Sequence, residues 1–295
     1  MIVGSNLKMK YIPIRHIKAT EIEPNFSERF GIRSVGDLLS GKDMIQELHR
    51  HDFFFILALE KGNGNHVIDF TPYEVGDRSV YCMRPGQVHE LSLKAGSSGY
   101  LMEFGTDFYY PHDKGSNRLL RKAMNANLCK LDGSGFKKVI SLLDYIFQEY
   151  TDKKEGYQEV IKANLGIFFI EHLRHRQKEK ILVNDINPYA QEQLEKFLEL
   201  LEKHISSHKQ VSQYAALMNL STYQLNTITK TTLGKTCSDL INQYTILESK
   251  RHLLATSNQI NQIAYHLGFE DVSYFIRFFK KHTGHSPEAF RHNFK

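Results

Sequence analysis

The amino-acid sequence predicts an α+β protein of two domains, in which a β-barrel followed by helices precedes an all-α domain. Three observations support this fold class. Short apolar segments divided by glycine and proline fill the first stretch, the apolar period then becomes helical, and a helical unit occurs twice, about 50 residues apart, near the end. The predicted boundaries are a barrel over 1–115, a helical segment over 116–180, a linker over 181–191 and a helix-turn-helix domain over 192–295.

The length and composition of the chain are those of a water-soluble protein with more than one domain. A chain of 295 residues exceeds the usual size of one domain. No apolar run approaches the ~20 residues that span a bilayer, and the N-terminus lacks the core of a signal peptide. The cysteines Cys82, Cys129 and Cys237 lie far apart, which is typical of a reducing compartment. We therefore expect a cytoplasmic protein with no membrane partner; translation can start at Met1 or Met9.

Charge is concentrated in the last third of the chain. Residues 204–295 contain ten lysine and arginine residues and five acids, so this stretch carries the whole formal surplus of +5. A basic domain joined to a neutral one indicates a polyanion as its partner.

The first stretch contains strand and turn signals. Residues 52–70, DFFFILALEKGNGNHVIDF, hold an apolar run, a GNGN turn and a second short apolar segment. This pattern predicts a β-hairpin. Further short segments divided by Gly and Pro predict a small barrel or sandwich.

Two amphipathic helices follow the barrel. Their apolar faces could cover the barrel within one chain or pair with the same helices of a second subunit, and the sequence leaves both alternatives open. The apolar positions at helical spacing are Phe136, Val139, Ile140, Leu143, Ile146 and Phe147, then Ile161, Leu165, Phe168, Phe169 and Leu173.

The last domain contains a weak internal repeat. Each copy has a small residue in its first helix (Ala215, Ala264), a turn residue that tolerates positive φ (Asn219, Gly268), and a second helix with one apolar face. This is the pattern of a helix-turn-helix, although an ordinary αα-hairpin is the alternative for either copy alone. One long helix is predicted between the copies, from apolar and basic positions at helical spacing. The core positions of the second helices are Leu225 and Ile228, then Phe275, Phe278 and Phe279.

The second copy carries a family signature. Residues 263–291, IAYHLGFEDVSYFIRFFKKHTGHSPEAFR, resemble the signature of the AraC/XylS family of bacterial transcription regulators, and the resemblance extends back to about residue 192. The first copy departs from it, since Asn219 stands where glycine is common and Thr229–Thr231 replace a more usual Phe-Lys-Lys. The resemblance implies a sequence-specific DNA-binding protein whose partner is double-stranded promoter DNA.

The candidate DNA contacts lie on the second helix of each copy. Arg277 suits guanine, because a guanidinium can bond O6 and N7 together, and Asn226 suits adenine. Lysines suit phosphate contacts, which position the protein. A phosphate contact or an internal salt bridge is the alternative for Arg277. The candidates are Thr222, Tyr223, Asn226, Thr227, Lys230, Val272, Ser273, Ile276, Arg277, Lys280 and Lys281.

The barrel holds a histidine pattern. His49 and His51 are at strand spacing and face the same side, and His89 follows a Pro-Gly turn. This layout resembles the metal motifs of the cupin family, but Phe55 and Ile56 stand where cupins carry a glutamate. A site of three histidines remains chemically possible, with open positions filled by water or substrate. Because the carboxylate is missing, however, the sequence predicts no metal and no cofactor. The regulators that this chain resembles imply a small effector instead, although a filled barrel is the alternative. The candidate effector contacts are His49, His51, Tyr81, Arg84, His89 and Glu103.

The leading hypothesis is a non-enzymatic, effector-modulated transcription regulator. We expect a homodimer, with RNA polymerase as a partner if the protein is an activator. The alternative is a metal-dependent cupin enzyme, an oxygenase or isomerase, with a helical appendage. Other catalytic patterns such as a P-loop, GxSxG or HExxH are absent from the sequence.

Overall fold

The computed structural model describes residues 14–15, 30–109, 114–181 and 188–293. The chain divides into an N-terminal unit within Pro13–Asn184 and a C-terminal unit within Asp185–Lys295. Met1, Met9 and most of the linker predicted over 181–191 lie outside the described residues.

The N-terminal unit contains two five-stranded sheets with an apolar interior between them. All strand pairs are antiparallel except the first with the third. The strands are β1 Ile14–Arg15, β2 Phe30–Ser34, β3 Met44–His51, β4 Phe54–Lys61, β5 Gly64–Ile68, β6 Thr71–Val75, β7 Ser79–Met83, β8 Val88–Leu93, β9 Ser98–Phe104 and β10 Leu128–Lys130. The first sheet has the order β1-β3-β8-β5-β6, and the second has the order β10-β7-β4-β9-β2.

Helices cover the outer face of the second sheet. Phe55 and Leu57 of β4 face the interior between the sheets, whereas Phe54 and Ile56 pack against the helices. Burial of both faces explains why β4 is a continuous apolar run. The amphipathic faces predicted over 116–180 are thus used within one chain. The helices of this unit are α1 Val35–Leu39, α2 Lys114–Met124, α3 Gly133–Asp152 and α4 Tyr157–Ile181.

The predicted hairpin over residues 52–70 is wrong. β4 pairs with β7 and β9, whereas β5 pairs with β6 and β8 in the other sheet. The glycine-rich segment therefore carries the chain from one sheet to the other. Close packing at Gly62 accompanies this crossing, because a Cβ there would lie 2.9 Å from the carbonyl oxygen of Gly76. Turn residues reveal a reversal of the chain, but they do not reveal which strand becomes the partner.

A second departure lies in the segment predicted as helical. Leu128–Lys130 forms β10 and pairs with β7 at the edge of the second sheet. Cys129 is buried there against the α2–α4 side of the sheet. Three residues are too few for a period to be recognised in the sequence.

The C-terminal unit is helical in every described element, as predicted. Its connecting helix, the fourth, spans 19 residues and ends just before the second helix-turn-helix. No helix among the described residues is long and apolar enough to cross a membrane. The helices are α5 Pro188–His204, α6 Val211–Leu217, α7 Thr222–Leu233, α8 Cys237–Ala255, α9 Ile260–His266, α10 Val272–Thr283 and α11 Pro287–Asn293.

Gly268 lets the turn of the second helix-turn-helix pack closely against the loop between α5 and α6. Its φ is 75°, and a Cβ at this position would lie 1.8 Å from the carbonyl oxygen of Ser206. Two constraints therefore act on one residue, the left-handed backbone and the close approach of another backbone segment.

We predict that Gly268→Ala destabilises the C-terminal unit by about 3 kcal/mol, because a left-handed alanine costs ~1 kcal/mol and the contact with Ser206 forces a backbone shift. The matched control is Gly284→Ala. Gly284 has φ of 80° but open space around its Cβ position, so only the conformational cost of about 1 kcal/mol applies. Urea unfolding of the full-length variants measures the difference. Equal losses would show that the contact is relieved without strain.

Candidate DNA-binding surface and histidine cluster

Both helix-turn-helix units have the same turn geometry. Asn219 has φ of 55° and Gly268 has φ of 75°, so both predicted turn residues occupy the left-handed region. Asparagine is among the few residues with a side chain that tolerate this region. Each turn is closed by a backbone hydrogen bond of 2.9 Å that ends on the small buried residue of the first helix. These bonds run from Leu220 to Ala215 and from Phe269 to Ala264.

The two units also share their helix ends. In each unit the backbone N–H of an N-cap glutamine donates to the side chain of the glutamine three residues later, and a left-handed glycine ends the second helix. A hydroxyl residue then begins the following helix by accepting from its third N–H. The matching pairs are Gln210 and Gln259, Gly234 and Gly284, and Thr236 and Ser286. The internal repeat is thus a repeat of backbone conformation.

Four buried histidines, His49, His51, His66 and His89, form what we call the histidine cluster. His49 and His89 are direct partners across β3 and β8, His51 lies two residues along β3, and His66 lies on β5. His89 Nε2 is 2.6 Å from His51 Nε2 and 3.0 Å from His49 Nε2. His66 Nε2 is 2.8 Å from His89 Nδ1. The structure thus brings together the three predicted histidines and adds a fourth.

Sequence reasoning missed His66. It follows the GNGN turn without a motif of its own, and the predicted hairpin would have paired its strand with β4. Only the register shows its place, since Ile68 pairs with His89 and His66 lies two residues away on the same face.

The histidine cluster is electrically neutral at pH 7. Burial lowers the pKa of His49 to about 4 and, with the repulsion of neighbouring cationic groups, lowers the pKa of His51 and His66 to about 3. Burial also lowers the pKa of His89 well below its ordinary value. Neutral imidazoles present lone pairs to one another and to any cation.

The other predicted effector contacts are dispersed. Tyr81 is buried in the interior, with its ring 5.2 Å from that of His66 and its hydroxyl donating to the carbonyl of Glu74. Glu103 accepts from Arg33 at 2.9 Å. Arg84 is half-buried in the loop before β8.

Comparison with known proteins finds a matching family for both the N-terminal and the C-terminal unit. Residues 42–108 match the AraC-like ligand binding domain, and residues 214–293 match a helix-turn-helix domain. The transcriptional activator RhaR of Yersinia pestis is 23% identical over 257 residues, which are 83% of this chain and 84% of that protein. The transcriptional activator RhaS of Escherichia fergusonii is 25% identical over 248 residues, 82% of this chain and 86% of that protein. The chain belongs to the AraC family.

Among solved structures, the C-terminal domain of the response regulator yesN from Fusobacterium nucleatum is similar to this chain. It is 30% identical, covers 34% of this chain and 98% of its own, and has a TM-score of 0.33. As an AraC-family member, the chain is an effector-modulated, DNA-binding transcription regulator.

The first candidate recognition helix of this AraC-family protein, α7, leaves most of its predicted contacts exposed. Thr222, Thr227 and Lys230 face solvent, and the side chain of Tyr223 is 80% exposed. Leu225 and Ile228 on the opposite face are buried, as predicted.

Asn226 differs from this pattern. Its carboxamide Nδ2 donates to the carbonyl of Thr222 at 3.0 Å, and its Oδ1 accepts the backbone N–H of Cys237 at 3.0 Å. The side chain is half-buried and joins α7 to the first turn of α8. These bonds occupy both groups that bidentate adenine recognition requires. The structure therefore disfavours the predicted adenine contact.

The second candidate recognition helix, α10, has an exposed basic face. Ser273, Ile276, Lys280 and Lys281 are exposed and Val272 is half-buried. Arg277 Nη2 lies 3.7 Å from Asp271 Oδ2, with the two side chains 68% and 60% exposed. An ion pair this long and this exposed contributes little, so the guanidinium remains available to a partner.

The structure gives structural roles to two further basic residues. Lys209 Nζ donates to the carbonyl of Ile205 and lies 5.4 Å from the ring centre of Phe269, and burial lowers the pKa of Lys209 to about 8. Arg291, the last arginine of the signature, donates to the carbonyls of Leu253 and Asn258 at 2.9 and 2.7 Å. Both bind the second helix-turn-helix to the rest of the C-terminal unit.

We predict that Asn226→Ala lowers the free energy of unfolding by about 1 kcal/mol, because the N–H of Cys237 loses its side-chain acceptor. The control Thr227→Ala changes an exposed residue on the same helix and should stay within about 0.5 kcal/mol. The DNA affinity of the folded Asn226→Ala protein should fall by less than that of the Arg277→Ala protein. A tenfold or larger loss for Asn226→Ala would instead assign Asn226 to base recognition.

Proposed function

We propose that this protein binds promoter DNA by placing α7 and α10 in two successive major grooves on one face of the duplex. The observation that carries this proposal is the pair of conformationally matched helix-turn-helix units, each with an exposed outer face on its second helix. Successive grooves on one face are about 34 Å, or roughly 10 base pairs, apart.

Rigid connections favour this two-groove arrangement. The 19-residue helix α8 separates the units, and Gly268 fits closely against the backbone at Ser206. Arg291 adds hydrogen bonds to the carbonyls at the end of α8 and before α9. Because these contacts order the units before binding, little conformational entropy is lost on the duplex.

Within this arrangement, Arg277 reads a base and the exposed lysines position the protein. Its guanidinium is mostly exposed at the middle of α10, and bidentate bonding to guanine O6 and N7 matches its geometry. Lys230, Lys280 and Lys281 lie at or beyond the middle of their helices and contact phosphates. Thr222, Tyr223 and Thr227 on α7, and Ser273 and Ile276 on α10, complete the groove faces.

The remaining parts of the proposal concern regulation. The N-terminal unit receives the effector, the protein acts as a homodimer in the cytoplasm, and it has no catalytic activity. RhaR and RhaS are named as activators, which supports transcription activation through RNA polymerase as the output. Tyr145 on α3 and Ile167 on α4 are large exposed apolar residues on the helical layer, and they support this layer as the dimer contact.

The test is selection of bound sequences from genomic fragments by the full-length protein at physiological salt, followed by affinity measurement. We expect a site with two short elements about 10 base pairs apart. Arg277→Ala should cost about 1–3 kcal/mol and relax the sequence preference at one element, since it removes a base contact.

Lys280→Ala is the matched control on the same helix. It should weaken binding to all sequences alike and reduce the slope of log affinity against log salt by about 1. Failure of the wild type to enrich any sequence would contradict the proposal. Equal, sequence-independent losses for both variants would contradict the base-reading role of Arg277.

A further inference from the structure

The histidine cluster places one ring nitrogen, His89 Nε2, within hydrogen-bonding distance of two others. The Nε2 atoms of His49 and His51 both converge on His89 Nε2, at 3.0 and 2.6 Å. The ligand atoms of these three buried residues all lie within 4.8 Å of one another. Among the described residues, this is the one group of three or more histidine, cysteine or acidic side chains with such spacing.

The ring protons of three neutral histidines cannot give every one of the converging Nε2 atoms a good hydrogen bond. His49 Nδ1 lies 2.7 Å from the carbonyl oxygen of Glu47, so Nδ1 is the donor and neutral His49 has a lone pair at Nε2. A proton on His89 Nε2 must be shared between His49 and His51. A proton on His51 Nε2 instead leaves the lone pairs of His49 and His89 facing each other at 3.0 Å.

A structural polar network is expected to satisfy its members, and this one does not. His51 Nδ1 and His66 Nδ1 are buried and have no hydrogen-bond partner among the described residues. Their rings are surrounded by Phe53, Phe55 and Tyr81. Four imidazoles are therefore held in an apolar interior at a cost that their own hydrogen bonds do not offset.

A divalent transition-metal ion removes the conflict between the facing lone pairs of the three Nε2 atoms. Nitrogen atoms bound at about 2.0–2.1 Å to one tetrahedral ion lie about 3.3 Å apart, so the observed separations of 2.6 and 3.0 Å need to open by about 0.7 and 0.3 Å. All three Nε2 lone pairs then point at one cation. The surrounding aromatic rings offer no competing ligand, which leaves further coordination positions for water or a small molecule.

Two contacts already orient the ligands. A metal-bound imidazole usually donates its other N–H to a carbonyl or another acceptor, which fixes the ring. His49 makes this bond to Glu47, and His89 Nδ1 lies 2.8 Å from His66 Nε2. His66 thus serves as a positioning residue that acts through His89.

We propose that His49, His51 and His89 bind one divalent transition-metal ion through their Nε2 atoms, and that His66 orients His89. Three neutral nitrogen donors suit zinc, iron, cobalt and nickel ions rather than calcium or magnesium. The ion is the ligand that the N-terminal unit senses; this regulatory meaning rests on the proposed function, whereas binding of the ion does not.

The primary experiment measures metal binding by the full-length protein without an affinity tag or DNA. After chelator treatment and desalting, Zn²⁺, Co²⁺, Ni²⁺ and anaerobic Fe²⁺ are each titrated by calorimetry, and elemental analysis follows gel filtration. We expect one ion per chain and, with Co²⁺, visible absorption bands of a nitrogen-ligated site. No stoichiometric binding of any of the four ions would overturn the proposal.

Variants separate ligation from positioning. His49→Asn should abolish stoichiometric binding, whereas His66→Asn should weaken it about 10- to 100-fold without changing the stoichiometry. His172→Asn is the control, because His172 is equally buried in the same unit but lies outside the histidine cluster. Circular dichroism of each variant verifies folding, and the Co²⁺ spectrum of the wild type decides independently of the variants. Full binding by folded His49→Asn would overturn the ligand assignment.

A second arm connects the ion with DNA. Operator affinity is compared for metal-free, metal-loaded and His49→Asn protein, and we expect a change of fivefold or more on loading that His49→Asn does not show. Operator binding without metal binding would overturn this inference and leave the proposed function standing. Metal binding without operator binding would overturn the proposed function and leave the metal site standing. Metal binding without a change in operator affinity would overturn the sensing role.

Discussion

The arrangement of the C-terminal unit depends on a left-handed backbone at two positions, Asn219 and Gly268. A positive φ immediately after a short helix reverses the chain within a few residues and sets the angle of the next helix. The same closing hydrogen bond to a buried alanine follows in both units, and the same caps then begin and end the helices. Exposure of the α7 and α10 outer faces follows from these local conformations, since their apolar faces are buried in the unit.

The two helix-turn-helix units nevertheless differ chemically at the positions that would meet DNA. On α10 the outer face carries Arg277, Lys280 and Lys281, all exposed, and the internal ion pair to Asp271 is long and weak. On α7 the corresponding face is mostly hydroxyl and aromatic, and its one carboxamide, on Asn226, is bonded internally. In the proposed complex, strong charge-assisted base recognition therefore falls to the second helix-turn-helix, and the first would contribute shape, hydroxyl contacts and a phosphate contact through Lys230.

In the N-terminal unit the controlling constraint is burial on both faces of β4. Alternate side chains of this strand pack against α2–α4 on one side and against the interior between the sheets on the other. Because the second sheet is covered by helices, the interior is closed on that side, and the histidines of the first sheet face apolar and aromatic side chains. The low polarity of this environment keeps all four imidazoles neutral and makes their mutual geometry costly without a cation.

The sequence by itself determined the features that depend on local chemistry. Helical period located α3, α4 and α8, strand spacing placed His49 and His51 on one face, and residue type located both positive-φ turns, because glycine and asparagine tolerate that backbone best. The signature around Arg277 located the second helix of the second helix-turn-helix for the same reason, since its caps and core positions are local.

Only the tertiary structure decided which segments become neighbours. It separated β4 from β5, brought His66 beside His89, formed β10, and used Asn226 as an acceptor for Cys237. None of these follows from spacing along the chain. Strand register and hydrogen-bond partners are set by long-range packing, which local sequence pattern does not encode.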